Sequence, residues 1–153
     1  MPLFEDELVV NCPIDRVFDF LLRPANVVRI SDPSMGLRFL NAPEIVELGS
    51  RLTFQMMGMG QVQECEHHIV SITPPQLIVE EQTKGIMRKW RHEHIFECQG
   101  DGTTRVIDRI EFEPPGGIVG FIVTEKKILG ALEDGFFHRH QQLKRILEAE
   151  CRS

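Results

Sequence analysis

Two strand-like segments followed directly by a long helical pattern constrain the fold of this chain more than any other feature. In the first segment, aromatic and titratable side chains alternate at two-residue spacing: Trp90, His92, His94 and Phe96. A Gly-Asp-Gly turn at 100–102 leads into a second segment over 106–112. Side chains two residues apart on a strand point to the same face. We therefore expect one face of these strands to form the wall of a pocket that the following helix closes.

The remaining pattern is typical of an α+β domain built on an antiparallel sheet. Phe4 to Val10 reads as a first strand, Pro13 begins a short helix, and a second short helix follows the break at Pro24. Between Leu37 and Phe112, apolar runs are separated by turns rich in Gly, Pro and Asn. Together with the first strand, these runs predict about seven strands.

A helical pattern from Ile118 to about Glu150 follows the sheet. Its apolar stripe recurs at helical spacing and comprises Ile118, Phe121, Ile122, Ile128, Leu129, Leu132, Phe136, Leu143, Ile146 and Leu147. Glycine weakens a helix, so Gly130 and Gly135 predict a bend or a close approach to the sheet.

Composition and charge limit the classes of function. The chain has 153 residues and a net charge of −6. Its pI is near 5.5, which argues against nucleic-acid binding and against a polybasic membrane anchor. No window reaches the roughly 18 consecutive apolar residues of a membrane span, and the acidic N-terminal sequence lacks the basic start of a signal peptide. We therefore expect a single cytoplasmic domain over residues 1–153.

The spacing of the cysteines is typical of neither a zinc ribbon nor a disulfide framework. The four residues are widely scattered, without a C-x-x-C pair: Cys12, Cys65, Cys98 and Cys151. We expect ordinary reduced thiols, as in most cytosolic proteins.

A row of titratable groups is predicted across three neighbouring strands. If the turn centres near Gly100 or Asp101, Asp108 lies across from His92 or His94. The preceding hairpin similarly brings Glu80 near His92, and Gln82 near Trp90. Three interpretations stay open: an oriented imidazole that moves a proton or binds a ligand, a structural polar network, or a site for zinc or iron. The last carries the least weight because spacing places no third histidine, and only one of His67 and His68 can face this side. We assign no metal and no cofactor from the sequence.

Two charges fall inside the apolar stripe of the helix. Buried charges are costly unless they are paired or bound to something. Glu125 is expected to lie in solvent, at an end of the stripe that projects beyond the sheet. Arg139 follows Phe136 by one turn, and it either meets Asp108 or Glu80, clamps a ligand carboxylate, or lies in solvent. His140 lies at the edge of the stripe, where it is placed to cap the pocket.

The order of elements resembles the START / polyketide cyclase / Bet v 1-like (SRPBCC) superfamily, and the resemblance covers essentially the whole chain. It implies a helix-grip fold, in which a curved sheet of about seven strands wraps a long C-terminal helix around a cavity. Within this superfamily, the chain more closely resembles one bacterial ligand-binding branch. That branch includes cyclase-like domains sometimes fused to sugar-epimerase-like proteins. The residues that carry this likeness are Glu80, Gln82, Gly85, Ile86, Trp90, His92, His94, Phe96, Gly102, Thr103, Asp108, Pro115, Gly117, Phe136 and Arg139. Where many relatives have Pro-Phe after the glycine, this chain has Ile86-Met87.

The resemblance supports three hypotheses of function. The first is binding of a hydrophobic small molecule (a lipid, isoprenoid, quinone or polyketide-like compound), to which the methionines at 56, 57 and 59 would offer an adaptable wall. The second is a cyclase or dehydratase in which His92 or His94, oriented by Asp108, removes a proton while Arg139 steadies the enolate. The third is a protein-interaction module; a homodimer is left open. The predicted ligand-binding residues are Glu80, Gln82, Trp90, His92, His94, Phe96, Asp108, Phe136 and Arg139.

Overall fold

A computed structural model describes residues 1–58 and 60–152. In these residues it contains seven strands, four α-helices and a 3-10 turn at Pro33–Met35. The strands are β1 (Leu3–Val10), β2 (Arg38–Asn41), β3 (Arg51–Gly58), β4 (Gln61–Thr73), β5 (Leu77–Lys84), β6 (Lys89–Cys98) and β7 (Thr104–Glu113). The helices are α1 (Ile14–Leu21), α2 (Pro24–Ile30), α3 (Gly117–Ile122) and α4 (Glu125–Arg152).

The strands form one antiparallel sheet in the order β1-β7-β6-β5-β4-β3-β2. The first and last strands of the chain therefore pair, and α1 and α2 carry the chain from β1 at one edge to β2 at the other. Helix α4 packs on the face that the sheet turns toward α1. The predicted α+β helix-grip fold with seven strands is confirmed.

The turn between β6 and β7 sets the register of the candidate site. Gly100, Asp101 and Gly102 all have positive φ, a conformation that costs glycine little. Cys98 pairs with Thr104 across this turn, and the same register places His94 opposite Asp108. A shift of one residue would reverse the faces of the whole strand, so this turn decides which groups meet.

Two apolar clusters lie on either side of a polar layer. The larger one includes Phe96, Val106 and Leu143, and the smaller one includes Phe112 and Phe136. The polar layer lies between them on the same three elements and consists of His92, His94, Asp108 and His140, all buried. No helix in the described parts of the chain is long and apolar enough to cross a membrane.

The predicted single helix from Ile118 to Glu150 is two helices. The chain breaks at Val123, whose ψ of 84° is not helical, and α4 then begins at Glu125. Ile118 and Phe121 consequently leave the apolar stripe and lie 81% and 85% exposed. The predicted close approach to the sheet at Gly130 and Gly135 is wrong, because a Cβ at either would meet nothing within 4 Å. Helix α4 runs through both glycines.

Thr124 caps the start of α4, and its removal is expected to destabilise the protein by about 1 kcal/mol. Its Oγ1 accepts a hydrogen bond from the backbone N–H of Lys127 at 3.3 Å. Thr124→Ala removes this acceptor, whereas Thr124→Ser keeps it. Urea denaturation should show a lower midpoint for the alanine variant and a nearly unchanged one for serine. Equal midpoints for all three proteins would contradict the cap.

The expectation of four reduced thiols is wrong for one pair. Cys12 and Cys151 form a disulfide with their Cα atoms 5.6 Å apart, and Cys65 and Cys98 are free. The paired cysteines are 139 residues apart in sequence. Their spacing therefore carries no signal, and only the packing of the end of α4 near the turn after β1 brings them together.

Candidate functional site: a cavity between sheet and helix

A cavity of about 450 Å³ lies between the sheet and α4. Most of its lining is apolar and comes from the helices and from strands β2 to β5. The apolar lining includes Phe39, Leu52, Phe54, Met56, Met57, Ile78, Ile128, Leu132 and Phe136. Met59 lies outside the described residues. The polar side chains that reach the cavity are Ser31, Gln63, His67, Glu80, Gln82, His92, His94 and Arg139. The wall thus combines an apolar body with one polar region.

Asp108 forms the buried base of this polar region and is 1% exposed. His92 Nε2 donates to its Oδ1 at 2.7 Å, and His140 Nε2 donates to its Oδ2 at 2.7 Å. His94 Nδ1 lies 3.4 Å from Oδ1. Burial raises the pKa of Asp108, but the hydrogen bonds from His140, His92 and His94 outweigh it and hold that pKa well below its usual range. Asp108 is therefore a carboxylate that orients histidines.

Glu80 faces the same histidines from the opposite side. It pairs across β5 and β6 with His92, as the sequence predicts. Its Oε1 lies 3.4 Å from His92 Nδ1, 3.6 Å from His94 Nε2 and 3.7 Å from His67 Nδ1. Burial raises the pKa of Glu80, but the three imidazoles bring it well below its usual range. Burial lowers the pKa of His94, yet Asp108 and Glu80 together raise it.

Arg139 reaches the cavity from α4 with unsatisfied donors. Its Nε and Nη2 atoms are buried and have no hydrogen-bond partner among residues 1–58 and 60–152. Its guanidinium carbon lies 5.2 Å from the centre of the Phe136 ring. Its charge contributes to the low pKa of Asp108 without forming an ion pair in the described part of the chain. Of the predicted alternatives for Arg139, direct pairing with Asp108 or Glu80 is thus not observed.

Two predicted ligand-binding residues lie outside the cavity lining. Phe96 is 1% exposed and packs edge-on against Phe18 with ring centres 5.4 Å apart. Asp108 lies behind His92 and His94 rather than beside the cavity. The structure brings the other seven to the cavity: Glu80, Gln82, Trp90, His92, His94, Phe136 and Arg139.

Gln82, which the sequence places near Trp90, is not paired with it in the strand ladder. The ladder between β5 and β6 ends at Glu81 opposite Arg91, one residue earlier, and Gln82 Nε2 donates instead to the carbonyl of Met87 at 2.8 Å. Both side chains still line the cavity. Trp90 Nε1 is buried without a partner in the described residues.

Two further histidines, His67 and His140, belong to this cluster. The sequence predicts that His140 caps the pocket, but this residue lies outside the cavity lining and bonds to Asp108 instead. His140 follows Phe136 by one helical turn, which is the signal that places it on the inner face of α4. Its Nδ1 also lies 3.3 Å from Asp6 Oδ2. His67 is the member of the adjacent histidine pair that faces inward. Glu125 is exposed, as expected.

Comparison with known proteins identifies the fold. Residues 22–147 match the family described as Domain of unknown function (DUF8410). A crystal structure of a protein from Thermus thermophilus is 14% identical with a TM-score of 0.75, covering 97% of this chain and 99% of that one. Ginseng major latex-like protein 151 from Panax ginseng is 15% identical with a TM-score of 0.70, covering 95% and 97%.

The di-domain ARO/CYC StfQ from the steffimycin biosynthetic pathway is 16% identical with a TM-score of 0.76, and the match covers 99% of this chain and 52% of StfQ. A search of the curated proteins finds no match. At these identities the structural likenesses establish the Bet v 1-like helix-grip fold, and the activity has to be argued from the site.

Proposed function

The chain belongs to the family described as Domain of unknown function (DUF8410), and we propose that its function is to bind a hydrophobic small molecule that carries an anionic head group. Lipids, isoprenoids, quinones and polyketide-like compounds with an acidic group belong to this class. The observation that carries the proposal is Arg139, which lines an apolar cavity and has two buried donors, Nε and Nη2, without a hydrogen-bond partner in the described residues. A relation to the bacterial ligand-binding branch with the W-x-H-x-H-x-F strand, a single domain over 1–153 and a cytoplasmic location remain predictions.

The size and lining of the cavity support a ligand of this kind. Small-molecule sites commonly enclose roughly 300–1,000 Å³ and combine apolar walls with a few polar groups. The cavity, at about 450 Å³, falls in this range. Its apolar side chains would gain free energy by excluding water from the body of the ligand.

Arg139 supports an anionic head group. A buried guanidinium without a partner costs free energy, because its donors have lost water and gained nothing. A carboxylate, sulfonate or phenolate bound by both free donors would restore these hydrogen bonds in a bidentate arrangement. Arg139 would thus fix the orientation of a ligand whose body the apolar wall holds.

The proposal is tested with two probes that share an aromatic body, anilinonaphthalene sulfonate and the uncharged N-phenylnaphthylamine. Arg139→Met is expected to weaken sulfonate binding by about tenfold or more, which is the effect of losing a charged hydrogen bond. Its affinity for the uncharged probe should change little. Trp90 is the chain's single tryptophan and lines the cavity, so energy transfer from it to the bound probe reports binding at this site.

Arg145→Met is the matched control, because Arg145 is an exposed residue of the same helix that bonds to Gln142. It should bind both probes as the unmodified protein does. Equal losses for both probes in Arg139→Met, or an equal loss in Arg145→Met, would contradict the anionic clamp. Native mass spectrometry of the freshly purified protein then identifies a natural ligand by its mass.

A cyclase-type enzyme is the second candidate, supported by one contact. His92 Nε2 donates to the buried Asp108 at 2.7 Å, which is the geometry of an oriented imidazole, and a relative in fold carries the name ARO/CYC. If this candidate is correct, a ligand identified by mass is converted with time, and His92→Gln stops the conversion while binding persists. A ligand whose mass stays constant on the protein supports the carrier instead.

A further inference from the structure

We propose that Glu80, His92 and His94 form a binding site for a divalent transition-metal ion, zinc or iron(II), at the wall of the cavity. One carboxylate oxygen and one nitrogen from each ring lie within 4.8 Å of one another. The proposal adds a site to the ligand cavity and does not depend on the identity of the hydrophobic ligand.

The distances between the donor atoms match those between ligands of one metal ion. Metal–nitrogen and metal–oxygen bonds of about 2.0–2.2 Å in a tetrahedral site place the ligand atoms roughly 3.4 Å apart. Glu80 Oε1 lies 3.4 Å from His92 Nδ1 and 3.6 Å from His94 Nε2. Charge-assisted hydrogen bonds are shorter, at about 2.7–2.9 Å. The contact between His92 and Asp108 has that shorter distance, whereas the contacts around Glu80 do not.

The outer nitrogens of both rings are arranged as in histidines that bind metals. Such histidines usually turn their second nitrogen to a carboxylate, which fixes the tautomer and the ring orientation. His92 Nε2 donates to Asp108, so a neutral ring presents the lone pair of Nδ1 to Glu80. His94 has the reverse orientation, with Nε2 toward Glu80 and Nδ1 3.4 Å from Asp108 Oδ1, a separation at which Nδ1 has no hydrogen bond in the described residues. His92 Nδ1 and the carboxylate oxygen of Glu80 face each other at 3.4 Å, a gap that a metal ion bound by both lone pairs would fill and that a proton on Nδ1 would also close.

The chemistry and accessibility of the donors favour a transition metal over calcium or magnesium. Two imidazoles and one carboxylate form a donor set that suits zinc and iron(II), whereas the hard cations prefer oxygen ligands throughout. Three protein ligands also leave a position for water or substrate. All three residues line the cavity, so that position would open to it.

Charge balance supports the same site. Glu80 and Asp108 are two buried carboxylates around stacked rings whose centres are 3.7 Å apart. A doubly charged ion between neutral histidines would compensate both carboxylates. Arg139, which touches neither, stays available for a ligand.

Zinc binding to the intact protein tests the site. The protein is treated with EDTA, desalted and titrated with Zn²⁺ in a calorimeter. The background is Cys98→Ser, because Cys98 is a free and exposed thiol and thiolates are zinc ligands. We expect one Zn²⁺ per chain in a saturable isotherm. Glu80→Gln and His94→Gln should each weaken binding by about 100-fold or more, with unchanged circular dichroism.

His68→Gln is the matched control, since His68 lies on the same strand as His67 but bonds to Glu66 on the other face. It should bind zinc like the unmodified protein. Absence of saturable binding, full affinity in Glu80→Gln, or an equal loss in His68→Gln would overturn the metal site.

Co²⁺ gives a second readout that leaves the three proposed ligands unchanged. Strong visible absorption from low-coordinate Co²⁺ in the Cys98→Ser protein supports the site, and the weak spectrum of hydrated Co²⁺ overturns it. The probe-binding experiment on Arg139 is run in EDTA, so either proposal can fail while the other holds.

Discussion

Replacement of Asp108 by alanine is expected to lower the free energy of unfolding by about 3–5 kcal/mol, because it removes the carboxylate from a buried, charged hydrogen-bond network and leaves the other members unpaired. The variant would leave His92 and His140 without their shared acceptor in the polar layer. A cavity would add to this cost. The measurement is urea denaturation of the EDTA-treated protein, with the midpoint and the slope fitted separately.

Asp6→Ala is the control for this prediction. Asp6 contacts the other nitrogen of His140 at 3.3 Å, but its side chain is 42% exposed. An exposed ion pair contributes only about 0–1 kcal/mol, so this variant should unfold near the midpoint of the unmodified protein. Equal and small losses in both variants would show that the buried network does not hold the fold together.

Replacement of Phe96 by alanine is expected to cost about 3–5 kcal/mol of unfolding free energy, the usual loss for a large aromatic core residue. Phe96 lies in the larger apolar cluster against Phe18, away from the cavity lining. The affinity of the folded variant for N-phenylnaphthylamine should therefore change little. Urea denaturation measures the first quantity, and a fluorescence titration below the unfolding transition measures the second.

Phe137→Ala is the control for this prediction, because it makes the same substitution at a phenylalanine of α4 that is 65% exposed. A surface substitution of this kind typically changes stability by less than about 0.5 kcal/mol. A stable Phe96→Ala variant with weakened probe binding would reverse the assignment. It would return Phe96 to the ligand-binding role that the sequence predicts.

Much of the candidate site could be predicted because short-range geometry determines it. Alternation along β6 forces His92 and His94 to the same face, whatever the rest of the fold does. The tight turn at 100–102 then sets the register, so Asp108 meets His94 across a single hairpin. The order of seven strands and a C-terminal helix follows from the same local signals of turns and periodicity.

Contacts between distant elements were not predictable in the same way. The helical period directs His140 inward, but its bond to Asp108 depends on how closely α4 packs on β7. Likewise, Phe96 shares a face with the histidines, yet the position of α1 buries it against Phe18. Periodicity predicts to which side of its own helix or strand a side chain points. It does not predict how closely the neighbouring element packs against that side chain.

The sequence by itself therefore predicted the sheet and the presence of a polar row, and it narrowed the strand partner of Asp108 to His92 or His94. Only the tertiary structure decided that α4 begins after Val123, that Cys12 meets Cys151, and that two donors of Arg139 have no hydrogen-bond partner in the described part of the chain. The physical reason is one of range. Hydrogen-bonded turns and side-chain alternation act over a few residues, whereas these three outcomes depend on packing between segments far apart in the chain.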